Sequence, residues 1–82
     1  MSLDRETLFA EIAELVKLHS TDPNATFAEA TQLEELGLDS IDLMEIVFRL
    51  EETHGAEISI SGLAGKNTLG EVVDYALNQI NS

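Results

Sequence analysis

The stretch "DSIDLMEIVFRLEETHG", residues 39–55, constrains the fold more than any other part of the chain. Ile41, Leu43, Met44, Ile46, Val47, Phe48 and Leu50 spread apolar side chains around most of a helix. Asp42, Glu45, Arg49 and Glu52 share one narrow polar stripe at helical spacing. A helix that apolar must be covered on more than one side, so it belongs at the centre of a bundle. Some of its apolar surface is left over for partners. The helix is expected to begin at Asp39 or Ser40 and to end at Gly55, the natural site for a left-handed terminating residue.

Two amphipathic segments can supply the cover. From Asp4 to His19, Leu8, Ile12, Leu15 and Val16, with Phe9 beside them, recur at three- and four-residue spacing. Asp4 is a suitable N-cap and Glu6 suits the positive end of the helix dipole. Pro23 within "HSTDPNAT" stops this helix. The last helix follows Thr68, whose spacing to Glu71 matches a capping box; Leu69, Val72, Val73, Ala76, Leu77 and Ile80 form its apolar face. Between the first two helices runs a connection of nearly twenty residues, too long to be structureless in so small a domain. Thr26 with Glu29 and Thr31 with Glu34 match the capping-box spacing. Phe27, Leu33 and Leu36 can pin this segment to the core, and Gly37 suits a turn of positive φ. "AEISISGLAGKN", residues 56–67, alternates Ile58 and Ile60 with serines as a strand would. It has no second strand to pair with. An extended approach and one short helical turn around Ser61–Gly65 is the better reading. The expected fold is all-α: a small four-helix bundle of three main helices and one short helix, one domain over residues 1–82.

Sixteen acidic residues against four basic ones give a net charge of −12. Such a field repels nucleic acid and anionic membranes and speeds encounter with basic protein surfaces; it also serves plain solubility. There is no cysteine, hence no disulfide and no thiol nucleophile in the chain. No stretch reaches 18 apolar residues, and the first seventeen residues are acidic where a signal peptide would be basic. The expectation is a cytoplasmic monomer without a membrane span, and Asn24-Ala25-Thr26 is then a chance match to a glycosylation acceptor.

Catalysis by the chain itself is poorly supported. No segment has the ligand order of an EF-hand, and Asp39, Asp42 and Glu45 are explained by dipole placement and solvation, so no metal site is expected. A serine nucleophile needs a base within hydrogen-bond reach. His54 lies fourteen helical residues from Ser40, about 20 Å away at 1.5 Å per residue. Both His19 and His54 suit the negative ends of helices. Ser40 is therefore either an ordinary cap or an acceptor. If Asp39 caps the helix with Asp42 at its third position, Ser40 stands exposed in the first turn, where free N–H groups and the dipole favour a phosphate.

"LGLDSIDLMEIVFRLEE" resembles the phosphopantetheine-attachment signature of acyl carrier proteins, Gly-x-Asp-Ser-Leu followed by an acidic, apolar-rich helix. The resemblance extends through "ATQLEELG" to "NTLGEVVDYAL" and so covers nearly the whole chain. It implies that Ser40, next to Asp39, is esterified with 4′-phosphopantetheine donated from coenzyme A by a separate phosphopantetheinyl transferase. It also implies a carrier rather than an enzyme, holding acyl intermediates as thioesters for fatty acid, polyketide or specialised lipid biosynthesis. Acyl-loading, condensing and transferring enzymes would meet the second helix with basic patches: Asp39, Asp42, Glu45 and Glu52 would offer charge, Ile41 and Met44 apolar contact. An acyl chain would lie among Leu50, Ile58, Leu63, Val72 and Ala76, which are equally explained as core. The chain departs from the pattern at Ile41, where Leu is usual, and at Arg49, which interrupts the acidic stripe. It departs again at "ISISGLAGKN", where the usual Pro and acids give way to Gly62, Gly65 and Lys66, weakening the third helix. The competing reading is a non-enzymatic acidic adaptor in which Ser40 is only a cap.

Overall fold

The computed structural model describes residues 3–19, 27–63 and 65–81. Three α-helices form where periodicity predicts them: α1 over Arg5–His19, α2 over Ser40–His54 and α3 over Leu69–Ile80. Two single 3-10 turns, Leu33–Leu36 and Ile60–Leu63, interrupt the connections. The short fourth helix is thus a 3-10 turn that begins one residue before the expected Ser61. Among the described residues the only bridge pairing is an isolated antiparallel one between Gln32 and Thr68, so Ile58 and Ile60 take no part in a sheet. The helix stop at Pro23, the acceptor pattern at Asn24-Ala25-Thr26 and the Thr26 capping box fall on residues 20–26, outside those described.

The core is one cluster. Leu8, Ile12 and Val16 of α1, Ile46, Val47 and Leu50 of α2, and Leu69, Val72, Val73 and Ala76 of α3 are buried in it. Leu33, Leu36, Ile58 and Leu63 close its ends, and Phe27 packs partly buried against it. At about 25 cal/mol per Å² of apolar surface removed from water, each large member contributes roughly 1.5–3 kcal/mol.

Local signals end the helices as the sequence predicts. Gly37 takes φ 73° after the first 3-10 turn, and Gly55 takes φ 63° after α2, its N–H donating to the Glu51 carbonyl. Thr68 caps α3 by accepting from the Glu71 N–H at 3.3 Å, while its hydroxyl donates to the Glu71 carboxylate at 3.1 Å. The Thr31–Glu34 capping box does not form. The 3-10 turn after Gln32 has no side-chain cap, because the Thr31 hydroxyl instead accepts from the Ala28 N–H at 3.0 Å. The Thr31 carbonyl accepts from Leu69. The hydroxyl is taken by a neighbour three residues back and the carbonyl by a helix start 38 residues on.

α1 and α2 run antiparallel, with a histidine–carboxylate contact near each end. His19 faces Asp42 and Glu45 at 3.4 and 3.5 Å, and His54 faces Glu11 at 2.9 Å. The segment after α2 is held by the Glu51 carboxylate, which accepts from the Ile58 N–H at 2.9 Å.

Two tertiary devices fix what lies between the helices. Arg5 forks onto the carboxylate of Glu29 and reaches Asp74 of α3 at 2.6 Å. The hydrogen bonds and charge of Arg5 hold the carboxyls of Glu29 and Asp74 below their usual range. In the second device the Tyr75 ring of α3 lies directly on Gly62. A Cβ there would stand 2.1–2.5 Å from the ring and its hydroxyl, which donates to the Ser59 carbonyl at 2.8 Å. Gly62 does not simply weaken the third segment; it makes room for the ring that anchors it.

Two predictions follow from these contacts. Carboxyls depressed in the fold contribute stability that is present above their unfolded pKa and lost as pH falls through the folded value. Urea midpoints measured from neutral pH down through the carboxylate range should therefore drop more steeply for the wild type than for Arg5→Gln; parallel curves would remove the ion pair from the account. Gly62→Ala should lower stability by about 1–3 kcal/mol through overpacking, read by the same denaturation at constant pH.

Candidate functional site

The start of α2 divides capping and exposure between two neighbouring residues. Asp39, extended at φ −110° and ψ −176°, accepts from the Asp42 N–H at 2.9 Å, and the Asp42 carboxylate accepts from the Asp39 N–H at 3.2 Å. This reciprocal box satisfies donors that a helix start otherwise leaves free. Ser40 is the first helical residue, exposed, and its hydroxyl makes no hydrogen bond with any described residue. It is an exposed hydroxyl at the first position of a capped helix. Its position is fixed by Gly37, whose left-handed turn brings the chain from the buried Leu36 out to the helix start.

Ser40 opens onto a groove of about 230 Å³. Leu33, Leu38 and Leu43 give it an apolar side, Glu34 and Asp39 acidic edges, and Lys66 and Asn67 a polar far wall. Neither histidine is hydrogen-bonded to Ser40: His19 faces Asp42 and Glu45, and His54 faces Glu11. Among the described residues no group of three or more His, Asp or Glu side chains is arranged to hold a metal ion.

The remaining expected site residues separate into two sets. Ile41, Met44, Glu45, Arg49 and Glu52 are exposed on α2. Phe48, which sequence reading assigned only to the apolar circumference, is 51 % exposed and joins Glu45, Arg49 and Glu52 around an open groove of about 430 Å³. Its 3.6-residue relation to Met44 and Ile41 was the available signal. Asp42 is different: its side chain is only 26 % exposed and is already bound to the capping box and to His19. The second set, Leu50, Ile58, Leu63, Val72 and Ala76, is buried together in the core cluster, away from both grooves.

Comparison with known proteins is consistent across the chain. The family model described as "Phosphopantetheine attachment site" matches residues 6–76. The meromycolate extension acyl carrier protein of Mycobacterium leprae is 32 % identical over 76 residues, covering 92 % of this chain and 66 % of that protein. The acyl carrier protein of Saccharopolyspora erythraea is 33 % identical over 79 residues, covering 95 % of this chain and 83 % of that protein. This chain thus spans just under two thirds of the length of the mycobacterial relatives. No solved structure matches it.

The residues at Ser40 fit a phosphopantetheine group. The hydroxyl is unencumbered, the helix start offers N–H groups to an anion, and the adjoining groove combines apolar and polar walls suited to an amide-containing arm. The division of labour at this site is measurable: Asp39→Ala should cost about 1 kcal/mol, the usual loss of an N-cap, whereas Ser40→Ala should stay within about 0.5 kcal/mol. Equal losses in urea denaturation would return the capping role to Ser40.

Proposed function

The chain belongs to the phosphopantetheine attachment family, and on that premise we propose that it is an acyl carrier protein whose arm is attached at Ser40. The single observation that supports this most is the free, exposed hydroxyl of Ser40 beside a cap supplied by Asp39. A serine kept only for capping has no work left when its neighbour performs that task, which argues against the adaptor reading.

Bound 4′-phosphopantetheine supplies the thiol that the cysteine-free chain lacks, and with it a thioester that activates an acyl carbon. The chain's own residues hold the attachment point, present it and recognise partners. α2 keeps Ser40 at a fixed place on the surface, and tethering raises the effective concentration of cargo at whichever enzyme docks. A phosphopantetheinyl transferase makes the attachment once, from coenzyme A, so no base is required in this chain.

Docking falls on the exposed side of α2. Ile41 and Met44 contribute apolar contact, as does Phe48, and Glu45 and Glu52 contribute charge toward basic patches on acyl-loading, condensing and transferring enzymes. Asp42 acts there mainly by fixing the helix start, since its carboxylate is already engaged. Arg49 places one cation among these acids and calls for a carboxylate on the partner. Exposed rim charges of this kind favour rapid, transient association over tight complexes. Leu50, Ile58, Leu63, Val72 and Ala76 offer cargo an apolar refuge: an acyl chain entering between α2 and α3 would part this layer of the core.

The experiment is direct. Incubation with coenzyme A and a broad-specificity phosphopantetheinyl transferase should raise the intact mass by one phosphopantetheine, and Ser40→Ala should abolish the gain. An unmodified wild type, or an adduct that persists in the variant, would refute the attachment.

A further inference from the structure

Lys66 has no role in the carrier reading above, yet it stands on the far wall of the groove that begins at Ser40. It is the one cation among the described residues lining that groove, set against the carboxylates of Glu34 and Asp39. Its ammonium forms no ion pair with a described residue, although the chain holds sixteen acids. It lies instead over the ring of Tyr75, 5.9 Å from the centroid, at the weak outer edge of a cation–π contact.

The backbone that carries Lys66 is fixed from both sides. The Lys66 N–H donates to the Leu63 carbonyl at 3.0 Å, and the Asn67 carbonyl accepts from Leu33 at 2.8 Å across the groove floor. Thr68 then bridges to Gln32. The stem therefore starts from a set place, while its four carbons leave the ammonium free to swing.

A phosphodiester on Ser40 adds a negative charge within the first turn of α2. The free N–H groups there favour it. The carboxylates of Asp39 and Asp42, committed to the capping box, oppose it and cannot turn away without uncapping the helix. The balance needs a cation, and Lys66 is the unpaired one facing the groove.

We propose that Lys66 is a phosphodiester clamp: when Ser40 is loaded, its ammonium leaves the Tyr75 ring and pairs with the phosphodiester oxygens, holding the first part of the arm along the groove. The proposal rests on Ser40 being the attachment serine. An anion beside a lysine favours its charged form, and acylating reagents attack only the neutral amine.

The chain has just two lysines, so Lys17, in the last turn of α1, is an internal reference. Apo and holo protein, the latter verified by intact mass, are treated with limiting acetylating reagent and mapped by peptide mass spectrometry. Loading should slow acetylation of Lys66 about two- to fivefold, the range of an exposed ion pair, and leave Lys17 unchanged. The protection should fade near 1 M salt, where screening is within a few ångströms. In parallel, the phosphorus-31 resonance of holo protein should shift with salt in the wild type and not in Lys66→Gln. Equal Lys66 reactivity in apo and holo protein overturns the clamp, and so does a phosphorus resonance indifferent to Lys66→Gln. Absence of any mass adduct would instead refute the attachment itself, so the two failures are distinct.

Discussion

The structure depends on a backbone stitch between the connection after α1 and the start of α3. Leu69 and Gly70, the first two residues of α3, donate their N–H groups to the carbonyls of Thr31 and Glu29 at 2.9 Å each. Leu33 completes the seam by donating to Asn67 at 2.8 Å. A helix start leaves its first N–H groups without intrahelical partners, and a long connection leaves its carbonyls equally bare. Here each supplies what the other lacks. The approach is close enough that a Cβ on Gly70 would stand 3.0 Å from the Glu29 carbonyl oxygen and 2.8 Å from its carboxylate, so glycine is favoured at that position by proximity rather than by its dihedral angle. Arg5 then closes over the seam: it holds Glu29 and Asp74 with its guanidinium, 3.5 Å from the Gly70 carbonyl. Leu33 and Leu36 reach the core only because this seam sets their backbone, and Ser40 follows four residues later.

With sixteen acids and four bases, each cation's location matters. Arg5 is spent on the seam, where a planar fork suits a bidentate carboxylate better than an ammonium would. The two histidines meet carboxylates across the α1–α2 interface at opposite ends, which limits sliding of one helix along the other. Of the other three bases, Lys17 stands exposed in the last turn of α1, while Arg49 and Lys66 sit beside grooves and form no ion pair with a described residue. Arg49 and Lys66 are thus the two cations placed at grooves where an outside anion would be received.

What could be read from the sequence was what short range determines. Helical spacing located three helices, and Gly37, Gly55, Asp39 and Thr68 took their terminating or capping roles because those depend on residues within four positions. The split between Asp39 as cap and Ser40 as exposed hydroxyl was legible for the same reason. The seam was not: its partners lie about forty residues apart and leave no periodic trace. Thr31 shows a separate limit: its spacing to Glu34 is right for a local box, but its hydroxyl is taken by Ala28, three residues back, and only its carbonyl joins the seam, at Leu69. Gly62 was similarly opaque, because its meaning lies in Tyr75, thirteen residues on. The exposed side of α2 was half legible: its apolar excess was plain, but which side faced water depended on how the other elements packed, and that left Phe48 exposed.

The neighbouring roles at the start of α2 explain how a modification site can sit on an element essential to the core. If Ser40 capped α2, esterifying it would remove a hydrogen bond from the helix on which Ile46, Val47 and Leu50 depend. Moving the cap to Asp39 makes the serine structurally spare, so loading and unloading leave the bundle intact. The arrangement carries its own electrostatic conflict, however. A carboxylate cap is stronger than a hydroxyl against the helix dipole, but it places negative charge next to the serine proposed to accept a phosphodiester. The Asp42 N–H, already committed to Asp39, leaves the new anion one donor fewer than an open helix start would. In the proposed clamp, compensation comes from another part of the same groove, on a segment held by the seam to α2's own approach. That segment carries Lys66, where a positive charge can serve the attached group without weakening the cap.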